Sequence, residues 1–102
     1  MFLTLQIDKV QPGLYRGAVM KSGGEVTEPV LHPSIADCIR LSALDVPTGF
    51  ASFMEIHYGG MSSGTYLLAD LPDKAEHIAS HLVVLVATMH EIENGSEHAK
   101  SP

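Results

Sequence analysis

The strongest constraint on the fold is a long amphipathic stretch near the carboxyl end of the chain. It runs from Pro72 to Glu93, and after its first residue it contains no Gly or Pro. A helix over this stretch would make about six turns. Its apolar side follows the helical period and consists of Ala75, Ile78, Leu82, Leu85, Val86, Met89 and Ile92. That side covers about half of the circumference, which is wider than a coiled-coil seam, so we expect the helix to lie on a broad surface such as a β-sheet.

Signals for both ends of this helix are present in the sequence. Asp70 and Asp73 stand at its start, where acidic side chains favour a helix N-terminus, and Asn94-Gly95 is typical of a C-terminal cap. We therefore predict a single domain over residues 1–95 and a disordered tail over residues 96–102.

The first half of the chain has the patterns of a sheet. Residues 2–10 alternate between apolar and polar side chains, and residues 14–20 indicate a second strand after a turn. Residues 26–31 form a third candidate, but Pro29 restricts it to a sheet edge. Ser34 then begins a short helix as its N-cap.

The second half predicts another hairpin before the long helix. Residues 50–58 and 65–69 have strand patterns, and the glycine-serine segment 59–64 is predicted to connect them as a loop. The order is ββ(β)αββα, which predicts an α+β fold with an antiparallel sheet of four or five strands and two helices packed on one face. A strand over residues 81–86 is the alternative, but the apolar periodicity extends beyond both ends of that run.

Charge, cysteine content and the length of apolar runs indicate which partners and which location to expect. The chain has 102 residues and a net charge of −6, and an acidic surface disfavours nucleic acid as a partner. Its one cysteine cannot form an intrachain disulfide, and no signal peptide is recognisable at the N-terminus. The longest strongly apolar run, residues 82–89, is shorter than the ~20 residues that span a bilayer. We expect a soluble cytoplasmic protein that binds neither membranes nor a cofactor.

One segment matches the G-x-S-x-G pattern of hydrolases, with Ser62 at the serine position. An acid, Asp70 or Asp73, and then His77, His81 or His90 follow in the order of a catalytic triad. In hydrolases, however, the motif lies between a strand and a helix, whereas here a strand is predicted after it. A plain hairpin loop is the favoured interpretation, and a small hydrolase is an alternative.

His77 and His81 are also candidates for metal binding. They are four residues apart and therefore share one face of the long helix, where two imidazoles can hold Zn²⁺ or Ni²⁺ if a third ligand is supplied. No third ligand is suitably spaced in the sequence, so two exposed imidazoles are the simpler interpretation. Cys38 is expected to be a small buried side chain, because it lies beyond the first turn of its helix and so lacks an activating environment.

Two features predict association with another chain. Small and apolar side chains occur on the otherwise polar side of the long helix, namely Ser80, Val84, Ala87 and Thr88. Sheet edges near Val26 or Thr65 offer a second route, because an open edge can pair with another strand. Together with the absence of a complete catalytic pattern, these features favour a non-catalytic protein-interaction module that forms a homo-oligomer, most simply a homodimer.

Overall fold

The described residues fold into one sheet and two α-helices. The computed structural model describes residues 2–21, 24–47 and 49–100, with side chains described as far as Ile92. Its elements in chain order are β1 (Phe2–Gln11), β2 (Leu14–Lys21), β3 (Gly24–Glu25), β4 (Val30–His32), α1 (Ile35–Asp45), β5 (Phe53–Tyr58), β6 (Met61–Leu67) and α2 (Leu71–Lys100). A short 3₁₀ turn, Leu68–Asp70, joins β6 to α2. The predicted α+β class and the long C-terminal helix are confirmed.

The sheet is mixed, which corrects the prediction of an antiparallel sheet with four or five strands. The described residues form six strands, five of them in the order β3-β2-β1-β5-β6, with β4 also paired to β2. β1 lies in the centre and pairs with β5 in parallel, while the other pairs are antiparallel. The physical reason is α1, because a helical crossover carries the chain back across the sheet and permits parallel pairing.

The predicted third strand, residues 26–31, is broken in two. β3 ends at Glu25 and β4 begins at Val30, and both pair with the same edge of β2. Pro29 lies in the gap, and because it has no N–H to donate it cannot continue a strand ladder. Ser22 and Gly23, which precede β3, lie outside the described residues.

The predicted six-residue loop between β5 and β6 is wrong. Gly59 and Gly60 alone form the turn, with φ of 58° and 81°, and β6 already begins at Met61. Positive φ at both positions is the requirement of the tightest hairpin turns, and glycine meets it without strain. Phe50 belongs to the preceding turn instead of β5, and its N–H donates to the carbonyl of Pro47 at 3.1 Å.

The hydrophobic core lies between one face of the sheet and both helices. The sheet contributes Leu3, Leu5 and Ile7 from β1, Val19 from β2, and Met54 and Ile56 from β5; the helices contribute Ile35, Cys38, Ile39, Leu71, Ala75, Ile78 and Leu82. Since side chains alternate along a strand, the opposite face of the sheet carries the intervening residues. No described helix covers that second face.

The apolar side of α2 becomes more exposed along the described part of the helix. Ile78 and Leu82 are buried, Leu85, Val86 and Met89 are half-buried, and Ile92 is 64% exposed. The inward position predicted for Ile92 is therefore wrong, because the helix has passed the end of the sheet at that point.

The predicted start of α1 is confirmed, whereas the predicted end of α2 is wrong. Ser34 caps α1 as expected, its Oγ accepting the N–H of Asp37 at 3.1 Å. Helix α2 continues to Lys100, past the end predicted at Asn94-Gly95, since one Gly among helix-forming residues costs only ~1 kcal/mol. The single domain over residues 1–95 and the disordered tail over 96–102 stay predictions, and residues 101 and 102 lie outside the described residues. Within the described part, no helix combines the length and hydropathy needed to cross a bilayer.

Candidate functional site

The uncovered face of the sheet carries a small polar cluster. Met54 and Ile56 of β5 point to the helices and are buried, so Glu55 and His57 point to the opposite face. Ser62 of β6 pairs directly with His57 in the register of the two strands. Glu55, His57 and Ser62 therefore meet on one surface.

Glu55 is the centre of this cluster. The hydroxyl of Ser62 donates to Oε2 of Glu55 at 2.8 Å, and Nε2 of His57 lies 3.0 Å from the same oxygen. The imidazole contact lacks hydrogen-bond alignment, and Nε2 of His57 has no hydrogen-bond partner among the described residues. The Ser62 hydrogen bond first, and the His57 contacts second, hold the pKa of Glu55 below its usual value.

This arrangement does not activate Ser62 as the nucleophile that the G-x-S-x-G pattern requires. The carboxylate stands between the hydroxyl and the imidazole, so Ser62 gives its hydrogen bond to Glu55 instead of to a histidine base. His77 and His81 lie on α2, on the covered side of the sheet, and are not brought to Ser62. The motif itself spans the Gly60 turn and β6, without the strand-to-helix elbow.

His77 and His81 do lie together on α2, as their spacing predicts. Both are exposed, and they border a groove of about 480 Å³ between β6 and α2, whose other lining residues are Tyr66, Asp73, Lys74 and Ile78. No cluster of three His, Cys, Asp or Glu side chains suited to a metal ion occurs in the described ranges. The pair alone thus supplies at most two ligands, and metal binding at this position stays a prediction.

Cys38 is buried in the core, with 0% of its surface exposed. Burial, and secondly the negative charge of Asp37, raise the pKa of its thiol to about 12. The thiolate is the reactive form of cysteine, so this environment opposes a nucleophilic role.

The outward side of α2 carries the predicted contact stripe, which consists of Ser80, Val84, Ala87 and Thr88. All four side chains are exposed, and Val84 is 60% exposed. The stripe borders a groove of about 620 Å³ between α1 and α2, whose apolar lining includes Pro33, Ile35, Ala36, Ala79, Val83 and Val84. Val83, at 51% exposure, extends the apolar surface beyond the residues that the sequence indicated.

An apolar row on the uncovered sheet face was missed at the level of sequence. Phe2, Phe53 and Leu67 are directly paired across β1, β5 and β6, and each is about half exposed. The alternation of β5 places Phe53 on the side of Glu55 and was available as a signal. Phe2 is a neighbour of Phe53 through a parallel pairing that the sequence does not reveal, and Leu67 is a neighbour through the register of the β5–β6 hairpin.

Comparisons of the chain with protein-family models, curated proteins and solved structures find no match.

Proposed function

We propose that the protein is a small non-catalytic interaction module that works as a homodimer and binds another protein. The observation that carries the proposal is the apolar surface on α2, where Val83 and Val84 are more than half exposed beside an open groove. Solvent-exposed apolar residues that cluster around a groove are typical of protein contact sites. The contact stripe of small side chains allows another helix to approach closely.

The polar side chains support the same proposal by their arrangement. Glu55 takes the hydrogen bond of Ser62, and the thiol of Cys38 is buried. Neither the hydroxyl of Ser62 nor the thiol of Cys38 is positioned to attack a substrate. The alternative of a hydrolase based on Ser62 predicts labelling by a fluorophosphonate probe, whereas the interaction module predicts none.

Light scattering during size-exclusion chromatography tests the homodimer. We expect twice the chain mass of 10.9 kDa at high concentration. A mass equal to that of one chain at every concentration would remove the homodimer from the proposal.

The apolar dye 8-anilinonaphthalene-sulfonate tests whether the groove between α1 and α2 is open to ligands. We expect the native protein to enhance its fluorescence, and Val84→Glu to abolish most of the enhancement. Leu44→Glu is the matched control, because Leu44 is 63% exposed and lies outside this groove. Equal losses in both variants, or no enhancement by the native protein, would contradict the proposed docking surface.

A further inference from the structure

The two edges of the sheet differ in how they are protected against pairing with another chain. One edge consists of β3 and β4, which have only two and three residues, with Glu28 and Pro29 between them. Short strands, charges and proline are the features by which proteins block edge-to-edge pairing. The other edge is β6, which has seven residues and contains neither a charged residue nor proline.

The last three residues of β6 continue the ladder with β5 beyond a bulge. The bulge opposite Ile56 and His57 interrupts the ladder near Ser62, and Gly64 after it has a φ of 121° and donates its N–H to Oγ of Ser62 at 3.3 Å. Thr65, Tyr66 and Leu67 then pair in register with β5. The outer edge of this segment has no strand partner among the described residues. Unpaired backbone groups on a regular edge are a template for one further strand.

We propose that β6 is where a second copy of this chain pairs, antiparallel and about a two-fold axis near Thr65, so that the two sheets become continuous. This inference rests on the self-association proposed above and names its location. A two-fold axis at Thr65 places Tyr66 of each copy opposite Gly64 of the other, where the Tyr66 hydroxyl of the same chain lies 3.8 Å from the position that a Cβ on Gly64 would take. Such an interface is self-complementary, as two-fold symmetry requires.

The side of α2 next to β6 supports a second copy as the occupant. The groove there carries an acid, Asp73, beside a basic group, Lys74. Lys74 Nζ lies 3.8 Å from Asp70, and both side chains are about half exposed, so this ion pair is loose enough to rearrange. Two-fold symmetry brings the two grooves face to face, where the acid of each copy meets the lysine of the other.

The side of α2 next to β6 must also belong to the interface for the interface to be large enough. A stable protein interface buries about 800 Å² on each partner, which is more than one short edge strand supplies. The contact stripe and the groove between α1 and α2 remain free for the protein partner. The inference therefore separates the surface for self-association from the surface for binding.

Disulfide trapping tests the location of the two-fold axis. In Thr65→Cys, the new thiol faces its own copy across an antiparallel pair at a Cβ separation of about 4.5–5.5 Å, within reach of a disulfide after slight adjustment. We expect mild oxidation to convert most of this variant to a covalent dimer. Glu25→Cys on the opposite edge and Val84→Cys on the contact stripe are the controls and should remain mostly unlinked. The buried Cys38 gives little background.

A second variant tests the same contact without a covalent cross-link. Thr65→Lys puts a charge on an exposed position of β6, where it faces its own copy, so we expect dimerisation at least tenfold weaker with an unchanged circular dichroism spectrum. If the protein is a dimer but Glu25→Cys or Val84→Cys is trapped instead of Thr65→Cys, the edge inference falls and the proposed function stands. If light scattering shows only a monomer, the homodimer and the edge inference fall together. A Thr65→Lys variant that dimerises as tightly as the native protein also overturns the inference.

Discussion

Removing the side chain of Leu82 tests whether α2 is held on the sheet by its apolar side. Leu82 is 0% exposed and belongs to the core formed by the sheet and both helices. Truncating a buried leucine to alanine costs about 2–5 kcal/mol, because transfer energy is lost and a cavity remains. For Leu82→Ala we expect a loss of about 3 kcal/mol from a total stability of roughly 5–15 kcal/mol.

The matched control is Val84→Ala on the same helix, two residues further along. Val84 is 60% exposed, so its truncation should change the free energy of unfolding by no more than ~0.5 kcal/mol. Urea unfolding followed by far-ultraviolet circular dichroism measures both variants. The melting temperature of Leu82→Ala should fall by roughly 10–20 °C. Equal effects of the two substitutions would refute the orientation of α2, and so would a loss below ~0.5 kcal/mol for Leu82→Ala.

Three further predictions concern single groups. Cys38 should react with a thiol reagent only after unfolding, since burial raises its pKa to about 12; fast reaction of the native protein at pH 8 would contradict its placement. The lowered pKa of Glu55 means that its contacts stabilise the fold above the ordinary carboxyl pKa of ~4.3, and that this stabilisation is lost as the pH falls through the folded pKa. Ser62→Ala should raise the Glu55 pKa in an NMR titration, and an unchanged value would exclude the hydrogen bond as the main cause. Gly59→Ala should destabilise more than Gly13→Ala: both have positive φ, but only at Gly59 would the new Cβ lie 3.1 Å from Val86. Each should cost about 1–2 kcal/mol for the backbone alone, and equal melting temperatures would show that the Val86 contact does not matter.

Local patterns in the sequence predicted the elements and much of the core. The period of β1 buries Leu3, Leu5 and Ile7, and the helical period of α2 buries Ala75, Ile78 and Leu82, as expected. These predictions succeed because burial on one face imposes a period on consecutive residues. The N-cap at Ser34 follows from equally local chemistry.

Features that depend on distant residues were not predictable in this way. The parallel pairing of β1 with β5 depends on how α1 crosses the sheet, and no period in either strand records it. The same holds for the Glu55–Ser62 hydrogen bond, which requires the exact register of a hairpin whose turn is Gly59-Gly60. Because the predicted turn was too long, Ser62 was assigned to a loop instead of a strand, and its proximity to Glu55 was missed. Ile92 was misplaced because the period of a helix does not show where the sheet beneath it ends.

The central claim of the fold is that the described helices cover only one face of the sheet. Hydroxyl-radical footprinting of the neighbouring residues Phe53 and Met54 tests it most directly, because they point to opposite faces and are 42% and 0% exposed. Methionine is intrinsically the more easily oxidised of the two side chains, so the unfolded protein provides the reference rate for each. We predict that folding slows oxidation of Met54 at least tenfold and that of Phe53 by less than about threefold. Equal protection of the two residues would contradict the one-sided sheet.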